Sequence, residues 1–115
     1  MADKPLVWVG SSLDELRRFP GEARRDAGYQ LRRVQQGLPP ADWRPLRSVG
    51  TGVLEIRVHA GAEYRVVYIA KFEEAVYVLN AFQKRTRRTR RPDIDLAKAR
   101  LREVVKLRKR ASRTS

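Results

Sequence analysis

VLEIRVHAGAEYRVVYIA, residues 53–70, gives the clearest structural signal in this sequence. In residues 53–59 apolar and charged side chains alternate, which is typical of a strand with one buried face. Residues 64–70 are apolar at nearly every position, which indicates a central strand. The small residues Ala60-Gly61-Ala62 between them predict a tight turn. We therefore predict a β-hairpin at the centre of the fold.

The register of this hairpin raises a question about charge. If the hairpin closes symmetrically about its central glycine, one face is wholly apolar. On the other face Arg57 lies directly opposite Arg65, and His59 lies opposite a glutamate. Like charges directly opposed on a sheet are unfavourable. Either Glu55, diagonal to Arg65, neutralises it, or the two guanidinium groups form a fork for a phosphate. The sequence leaves both explanations open.

Two amphipathic helices are predicted before the hairpin. Residues 6–9 indicate a short strand that precedes them. Ser12 and Glu15 have the spacing of a capping box, in which each side chain accepts a hydrogen bond from the other residue's backbone N–H. The first helix continues through residues 13–19. Apolar positions then recur at helical spacing over residues 22–38 and predict the second helix.

The remaining segments complete a prediction of one α+β domain. A linker that contains Trp43 leads to the hairpin, residues 76–82 predict the third strand of a meander, and residues 94–105 predict a C-terminal helix. The predicted fold is a small, mainly antiparallel sheet, formed by the N-terminal strand and the three-strand meander. Two N-terminal helices and the C-terminal helix pack on it. We expect a single domain at 1–107 and a basic, disordered tail at 108–115.

The composition excludes several classes of protein. The sequence has no cysteine and one histidine, which excludes a disulfide scaffold and makes a structural zinc site implausible. We expect no metal and no cofactor. The apolar run at residues 6–9 is too short for a signal peptide or a membrane span. The expectation is a cytoplasmic protein with no membrane partner.

Positive charge is concentrated in the last third of the chain. The net charge is +13, and residues 81–115 hold 14 Lys/Arg against 3 Asp/Glu, whereas residues 1–80 hold 12 against 10. Six basic residues occupy the eight positions from Lys84 to Arg91. This asymmetry indicates a polyanionic partner, either nucleic acid or an acidic protein segment. The alternative is a solvated basic tail.

The chemistry that such cations favour is phosphodiester cleavage. Positioned cations stabilise the charge that develops on the phosphate oxygens. RNA carries its own nucleophile, the 2′-hydroxyl, so a ribonuclease needs no metal. Lys84 and Arg85 leave the third meander strand close to Arg57 and Arg65, where they add to the charge. His59 is the acid/base candidate by its ordinary pKa; the alternative is an exposed turn residue paired with a carboxylate.

Several of these segments together resemble a known toxin family. LEIR at 54–57, YRVVY at 64–68 and AFQKRT at 81–86, followed by Ala97 and Arg100, resemble the phage-derived, HigB-like branch of the RelE/HigB superfamily. The resemblance implies a RelE-like fold and the toxin of a type II toxin–antitoxin system. It implies a metal-independent endoribonuclease that cleaves mRNA on the ribosome and inhibits translation and growth. The implied partners are mRNA, the ribosome and a helix-turn-helix antitoxin, which forms a hetero-oligomer with the toxin.

The resemblance also implies roles for individual residues. Arg65 matches the arginine that helps to stabilise the scissile phosphate in the family. The other matched basic positions are Arg57, Lys84 and Arg85. RelE uses a tyrosine near its C-terminus for acid/base chemistry, and no tyrosine follows Tyr77 in this chain. Related HigB toxins use histidine, which favours His59 in that role.

The rest of the basic run is expected to bind RNA without reading its sequence. Four arginines are expected to follow the RNA backbone or to dock on ribosomal RNA: Arg87, Arg88, Arg90 and Arg91. One alternative is a non-catalytic protein that binds nucleic acid or the ribosome through the same basic surface. Another is an adaptor whose basic helix binds an acidic partner protein.

Overall fold

A five-stranded mixed sheet separates two helical layers in the computed structural model, which describes residues 3–114. The strands are β1 (Leu6–Trp8), β2 (Trp43–Pro45), β3 (Val53–His59), β4 (Glu63–Ile69) and β5 (Val76–Lys84). The helices are α1 (Ser12–Arg17), α2 (Gly21–Gln35) and α3 (Arg91–Thr114). The strand order is β1-β5-β4-β3-β2, with β1 parallel to β5 and all other neighbours antiparallel. The predicted α+β class is confirmed.

The predicted hairpin has the predicted register. In the pairing of β3 with β4, Arg57 lies opposite Arg65, and His59 lies opposite Glu63. Gly61 in the turn has a φ of +78°, in the left-handed region that glycine adopts without a steric penalty. Period-two alternation fixes this register, because a slip of one residue would expose the entire apolar face.

The sheet differs from the predicted one by a fifth strand. The predicted linker contains β2, which pairs with β3 so that Trp43 lies opposite Ile56 and Arg44 opposite Glu55. Three residues are too few for alternation to show, and Pro45 is compatible only with an edge position. The predicted arrangement of an N-terminal strand and a three-strand meander was therefore incomplete.

The sheet has an apolar core on each face, but the second helical layer covers only part of its face. α1 and α2 pack on the side chains of Ile56, Val66 and Tyr68. On the opposite face α3 packs its buried Ala97 and Val104 against apolar residues of β3, β4 and β5. The remaining positions of β3 and β4 on this second face carry charged side chains. The candidate site lies there, beyond the beginning of α3.

The predicted capping box was wrong. α1 begins after Ser11, and the hydroxyl of Ser12 is buried with no hydrogen-bond partner within residues 3–114. The Glu15 carboxylate instead accepts hydrogen bonds from Arg100 at 2.8 and 2.9 Å and from the Ala81 N–H at 3.2 Å. Burial acts to raise the pKa of Glu15, but these bonds and one from Ser11 hold that pKa below its ordinary value. A partner 85 residues away in sequence thus takes the carboxylate that local spacing assigned to a cap.

The end of the chain is more regular than predicted. α3 continues through Thr114, whereas the sequence predicts disorder from residue 108. Arg108 forms an ion pair with Glu74, with 2.6 Å between Nε and Oε2, and its guanidinium lies 3.8 Å from the centre of the Phe72 ring. Ser115 lies outside the described residues, and the division into a domain and a tail at 107/108 stays a prediction. None of the helices in residues 3–114 is long and apolar enough to cross a bilayer.

Candidate functional site

Four cations from four strands meet on the uncovered part of the second sheet face. Arg57 and Arg65 are directly paired between β3 and β4, and Lys84 at the end of β5 lies opposite Glu63 of β4. Arg44 of the edge strand β2 completes the set. We call Arg44, Arg57, Arg65 and Lys84 the cationic cluster. Burial lowers the pKa of Lys84, and the three arginines lower it further. Sequence reasoning missed Arg44, because it lies in a segment without a strand pattern.

A buried carboxylate lies within this cluster. Glu55 is fully buried, and its Oε1 is 3.0 Å from Nε of Arg44 and 3.6 Å from Nε of Arg65. Its Oε2 accepts a hydrogen bond of 3.2 Å from the hydroxyl of Thr89. The first explanation for the opposed arginines, neutralisation by Glu55, is therefore realised. Glu63 also pairs with Arg65, and two carboxylates among four cations still leave the group positively charged, as the second explanation requires.

The paired arginines retain buried N–H groups that make no hydrogen bond. Arg65 is almost fully buried, and its Nη1 donates to Glu63 at 3.1 Å and to the Tyr64 carbonyl at 2.9 Å. The Nε atoms of Arg57 and Arg65 are both buried without a hydrogen-bond acceptor in the described part of the chain. Unsatisfied buried donors are rare, because each loses its hydration without compensation. Guanidinium groups on adjacent strands match anions with several acceptor oxygens, such as a phosphate.

His59 is held between two carboxylates. Its Nδ1 is 2.7 Å from Oε2 of Glu63, and its Nε2 is 2.7 Å from Oδ2 of Asp42. The hydrogen bonds to Asp42 and then to Glu63 raise the pKa of His59. The two carboxylates therefore stabilise the imidazolium form of His59 relative to the neutral ring. Glu63 also binds Arg65, which links His59 to the cationic cluster.

The loop between β5 and α3 is strongly basic and exposed. Its arginines are Arg85, Arg87, Arg88 and Arg90, with Arg91 at the start of α3. Arg85 donates a hydrogen bond of 3.0 Å to Gln83. Gln83 and Lys84 point to opposite faces of β5, so this bond holds Arg85 away from the cationic cluster. We call residues 85–90 the basic loop. The structure thus brings Lys84, but not Arg85, to the paired arginines.

A comparison with protein families gives one match that covers most of the chain. A family model described as phage-derived Gp49-like protein (DUF891) matches residues 14–102, which contain the cationic cluster and the basic loop. The chain belongs to the Gp49-like family. This family is, in general, one of RelE/HigB-like toxins of toxin–antitoxin systems, and a toxin of this kind implies an antitoxin partner. No curated protein matches the chain in a sequence comparison.

Elsewhere in residues 3–114 the Gp49-like protein shows no comparable cluster of cations on a sheet face. A groove of about 460 Å³ between the end of α2 and the sheet is mainly apolar, with Leu38, Trp43 and Leu54 in its lining, and it contains no residue of the cationic cluster. Within residues 3–114 no group of three His, Cys, Asp or Glu side chains is placed to hold a metal ion. The cationic cluster and the basic loop therefore form the candidate site.

We expect the pKa of His59 in the Gp49-like protein to lie above 6.5, and Asp42→Asn to lower it. The folded pKa is raised, so the ion pairs stabilise the fold below the pKa of the unfolded chain. This contribution is lost as the pH rises through the folded pKa. An NMR titration of the only imidazole in the chain measures both values. A midpoint at or below 6.5, or no change in Asp42→Asn, would contradict the described pairing.

Proposed function

We propose that this Gp49-like protein is a metal-independent endoribonuclease that cleaves mRNA on the ribosome and thereby inhibits translation and growth. The observation that carries the proposal is the pair Arg57 and Arg65, with Lys84 beside them, on the part of the sheet face that α3 does not cover. The proposal includes a RelE-like fold, membership of the HigB-like branch and action in the cytoplasm. It also includes inhibition by a helix-turn-helix antitoxin in a hetero-oligomer.

The proposed reaction uses the substrate's own nucleophile. The 2′-oxygen loses its proton and bonds to phosphorus, the bond from phosphorus to the 5′-oxygen breaks, and the leaving 5′-oxygen takes up a proton. Negative charge develops on the non-bridging oxygens, where Arg57 and Arg65 can donate hydrogen bonds. Lys84, whose pKa is lowered, and His59, whose pKa is raised, are the candidates for proton transfer. The products are a 2′,3′-cyclic phosphate and a free 5′-hydroxyl.

The proposal is tested by adding the purified protein to a translating cell-free extract and mapping messenger ends by primer extension. Discrete cuts that require translation, with cyclic phosphate ends, are the expected result. Parallel reactions without ribosomes, on the same message, determine whether the ribosome is needed. Intact message at a protein concentration that saturates the ribosomes would contradict the enzymatic proposal.

A second candidate function is non-catalytic binding to RNA or the ribosome. It is favoured by one observation, which is that both ring nitrogens of His59 are already engaged by carboxylates. This candidate predicts salt-sensitive binding to ribosomes with no cut products in the same extract. Cleavage by the wild-type protein would eliminate it.

The basic loop and the start of α3 are expected to provide most of the salt dependence of RNA binding. Each arginine that contacts a single-stranded phosphate contributes about 0.7 to the slope of log K against log salt concentration. The variant carries glutamine at Arg87, Arg88, Arg90 and Arg91. We expect a slope less steep by about 0.7 for each arginine in contact. Fluorescence anisotropy with a labelled single-stranded RNA measures the slope.

The matched control replaces Arg24 and Arg25 of α2, which are exposed in the helical layer on the other side of the sheet. We expect this control to keep the wild-type slope. Equal slopes for wild type and the loop variant would show that the basic run is a solvated surface and not a contact with RNA.

A further inference from the structure

Glu55 joins three separate segments of the chain through one buried carboxylate. Oε1 lies beside Arg44 of β2 and Arg65 of β4. Oε2 accepts a hydrogen bond from the hydroxyl of Thr89 in the basic loop. A fully buried carboxylate loses its hydration, and only close cations and hydrogen bonds compensate for this cost. Arg44, Arg65 and Thr89 supply these interactions. Because the buried carboxylate requires them, each of the three side chains is held in place against Glu55.

Thr89 is the point at which the basic loop is attached to the sheet. Between Arg85 and Arg90 every residue is exposed except Thr89, which is half-buried. The hydrogen bond from Thr86 to the Arg88 carbonyl at 2.7 Å is local, and the bond from Arg85 to Gln83 at 3.0 Å reaches only the adjacent end of β5, on the opposite face of the sheet. The contact between Thr89 and Glu55 therefore determines where the loop arginines lie relative to the cationic cluster.

We propose that Glu55 is the positioning residue of the site, which orients Arg44 and Arg65 and, through Thr89, holds the basic loop over the same sheet face. The catalytic consequence of this inference rests on the proposed function. The contacts that Glu55 makes with the two arginines and with the loop do not depend on the proposed function. The two carboxylate oxygens have different roles. Oε1 orients the arginines, and Oε2 holds the loop. An RNA strand that crosses the loop would thus arrive with a phosphate at the arginine pair.

The structural content is tested by NMR relaxation of the backbone amides of residues 85–90 in the protein without RNA. Thr89→Val removes the hydroxyl and keeps the shape of the side chain. Loss of the hydrogen bond to Glu55 is expected to lower the order parameters of the loop from about 0.85 to about 0.6 or less. Thr89→Ser restores the donor and is expected to restore the high order parameters. Thr86→Val, a matched loss of a local hydrogen bond, is expected to have a smaller effect.

Order parameters in Thr89→Val equal to those of the wild type would overturn the inference. An equal decrease in Thr89→Val and Thr86→Val would overturn it too, because any loop hydroxyl would then serve. Both outcomes are read without an activity measurement. They are therefore distinct from failure of the proposed function, which appears as absence of cleavage by the wild-type protein.

The catalytic consequence of the inference is tested by measuring KM and kcat of RNA cleavage separately for each variant. Thr89→Val is expected to raise KM severalfold with little change in kcat, because the loop holds the strand but makes no contact with the reacting atoms. Glu55→Gln is expected to lower kcat, because the charge that orients Arg65 is gone. If the wild type does not cleave, the affinity for 2′-O-methyl RNA replaces KM. Equal affinity of wild type and Thr89→Val would then contradict the role of the loop.

Discussion

Arg65→Lys is expected to reduce RNA cleavage by about 10²–10³-fold while the protein remains folded. Arg65 is nearly fully buried between the carboxylates of Glu55 and Glu63. Lysine keeps the positive charge that these carboxylates require, but it replaces the planar fork of donors by a single ammonium group. If Arg65 binds the scissile phosphate as proposed, the change removes that contact and leaves most of the charge balance intact.

Alanine at this position would be a poorer test. The hairpin register alone places Arg65 on the charged face of the sheet, where Arg65→Ala would be expected to abolish activity with little loss of folding. The structure gives a different expectation for folding, since removing one partner of a buried ion pair costs about 3 kcal/mol. Of its two ion-pair partners within residues 3–114, Glu55 would keep Arg44. Loss of activity in Arg65→Ala would then mix chemistry with unfolding.

Two measurements separate these effects for Arg65→Lys. Primer extension in the translating extract gives the cleavage rate, and thermal denaturation gives the stability. The matched control is Arg47→Lys, the same substitution at an exposed arginine in the loop between β2 and β3. A folded Arg65→Lys protein that cleaves within threefold of the wild-type rate would show that the arginine fork does not act on the phosphate.

The centre of the fold was predictable because its signals are local. Alternation in β3, the apolar run of β4 and the small residues of the turn all lie within 18 consecutive positions, and they fix the pairing of Arg57 with Arg65. Because the register is fixed by burial of one face, the composition of the other face follows from it. The cationic face was therefore predictable from sequence, together with the proximity of Lys84.

The partners that organise this face were not predictable in the same way. Arg44 belongs to a three-residue edge strand that shows no pattern of its own, and Asp42 reaches His59 from the same segment. Thr89 contacts Glu55 across 34 positions, and Arg100 contacts Glu15 across 85. Each contact depends on tertiary packing, which spacing within a segment does not encode. The same limitation explains the false capping box at Ser12.

Arg100→Leu is expected to destabilise the fold by about 3 kcal/mol, because it leaves a largely buried carboxylate without its cation. Arg100 connects α3 to α1 through Glu15 and Ser11, and it also donates to the Leu79 carbonyl of β5 at 2.8 Å. Gly10 permits this approach, since a Cβ there would lie 2.8 Å from Nε of Arg100. Chemical denaturation at pH 7 measures the change in the free energy of unfolding.

The destabilisation should depend on pH in a defined direction. The folded pKa of Glu15 is lowered, so the pair with Arg100 stabilises the fold above the pKa of the unfolded chain. This stabilisation is lost as the pH falls through the folded pKa. The difference between wild type and Arg100→Leu should therefore shrink on acidification. Arg108→Leu, which breaks the exposed pair with Glu74, should change the stability much less.

The double variant with leucine at both Glu15 and Arg100 distinguishes a lost attraction from an unpaired charge. Replacing both members of a buried pair by apolar residues is often close to neutral, whereas removing one member is costly. We expect the double variant to recover much of the stability that Arg100→Leu loses. If it remains as unstable as the single variant, the bonds from Arg100 to Leu79 and Ser11, and not the charge on Glu15, hold α1 and α3 to the sheet.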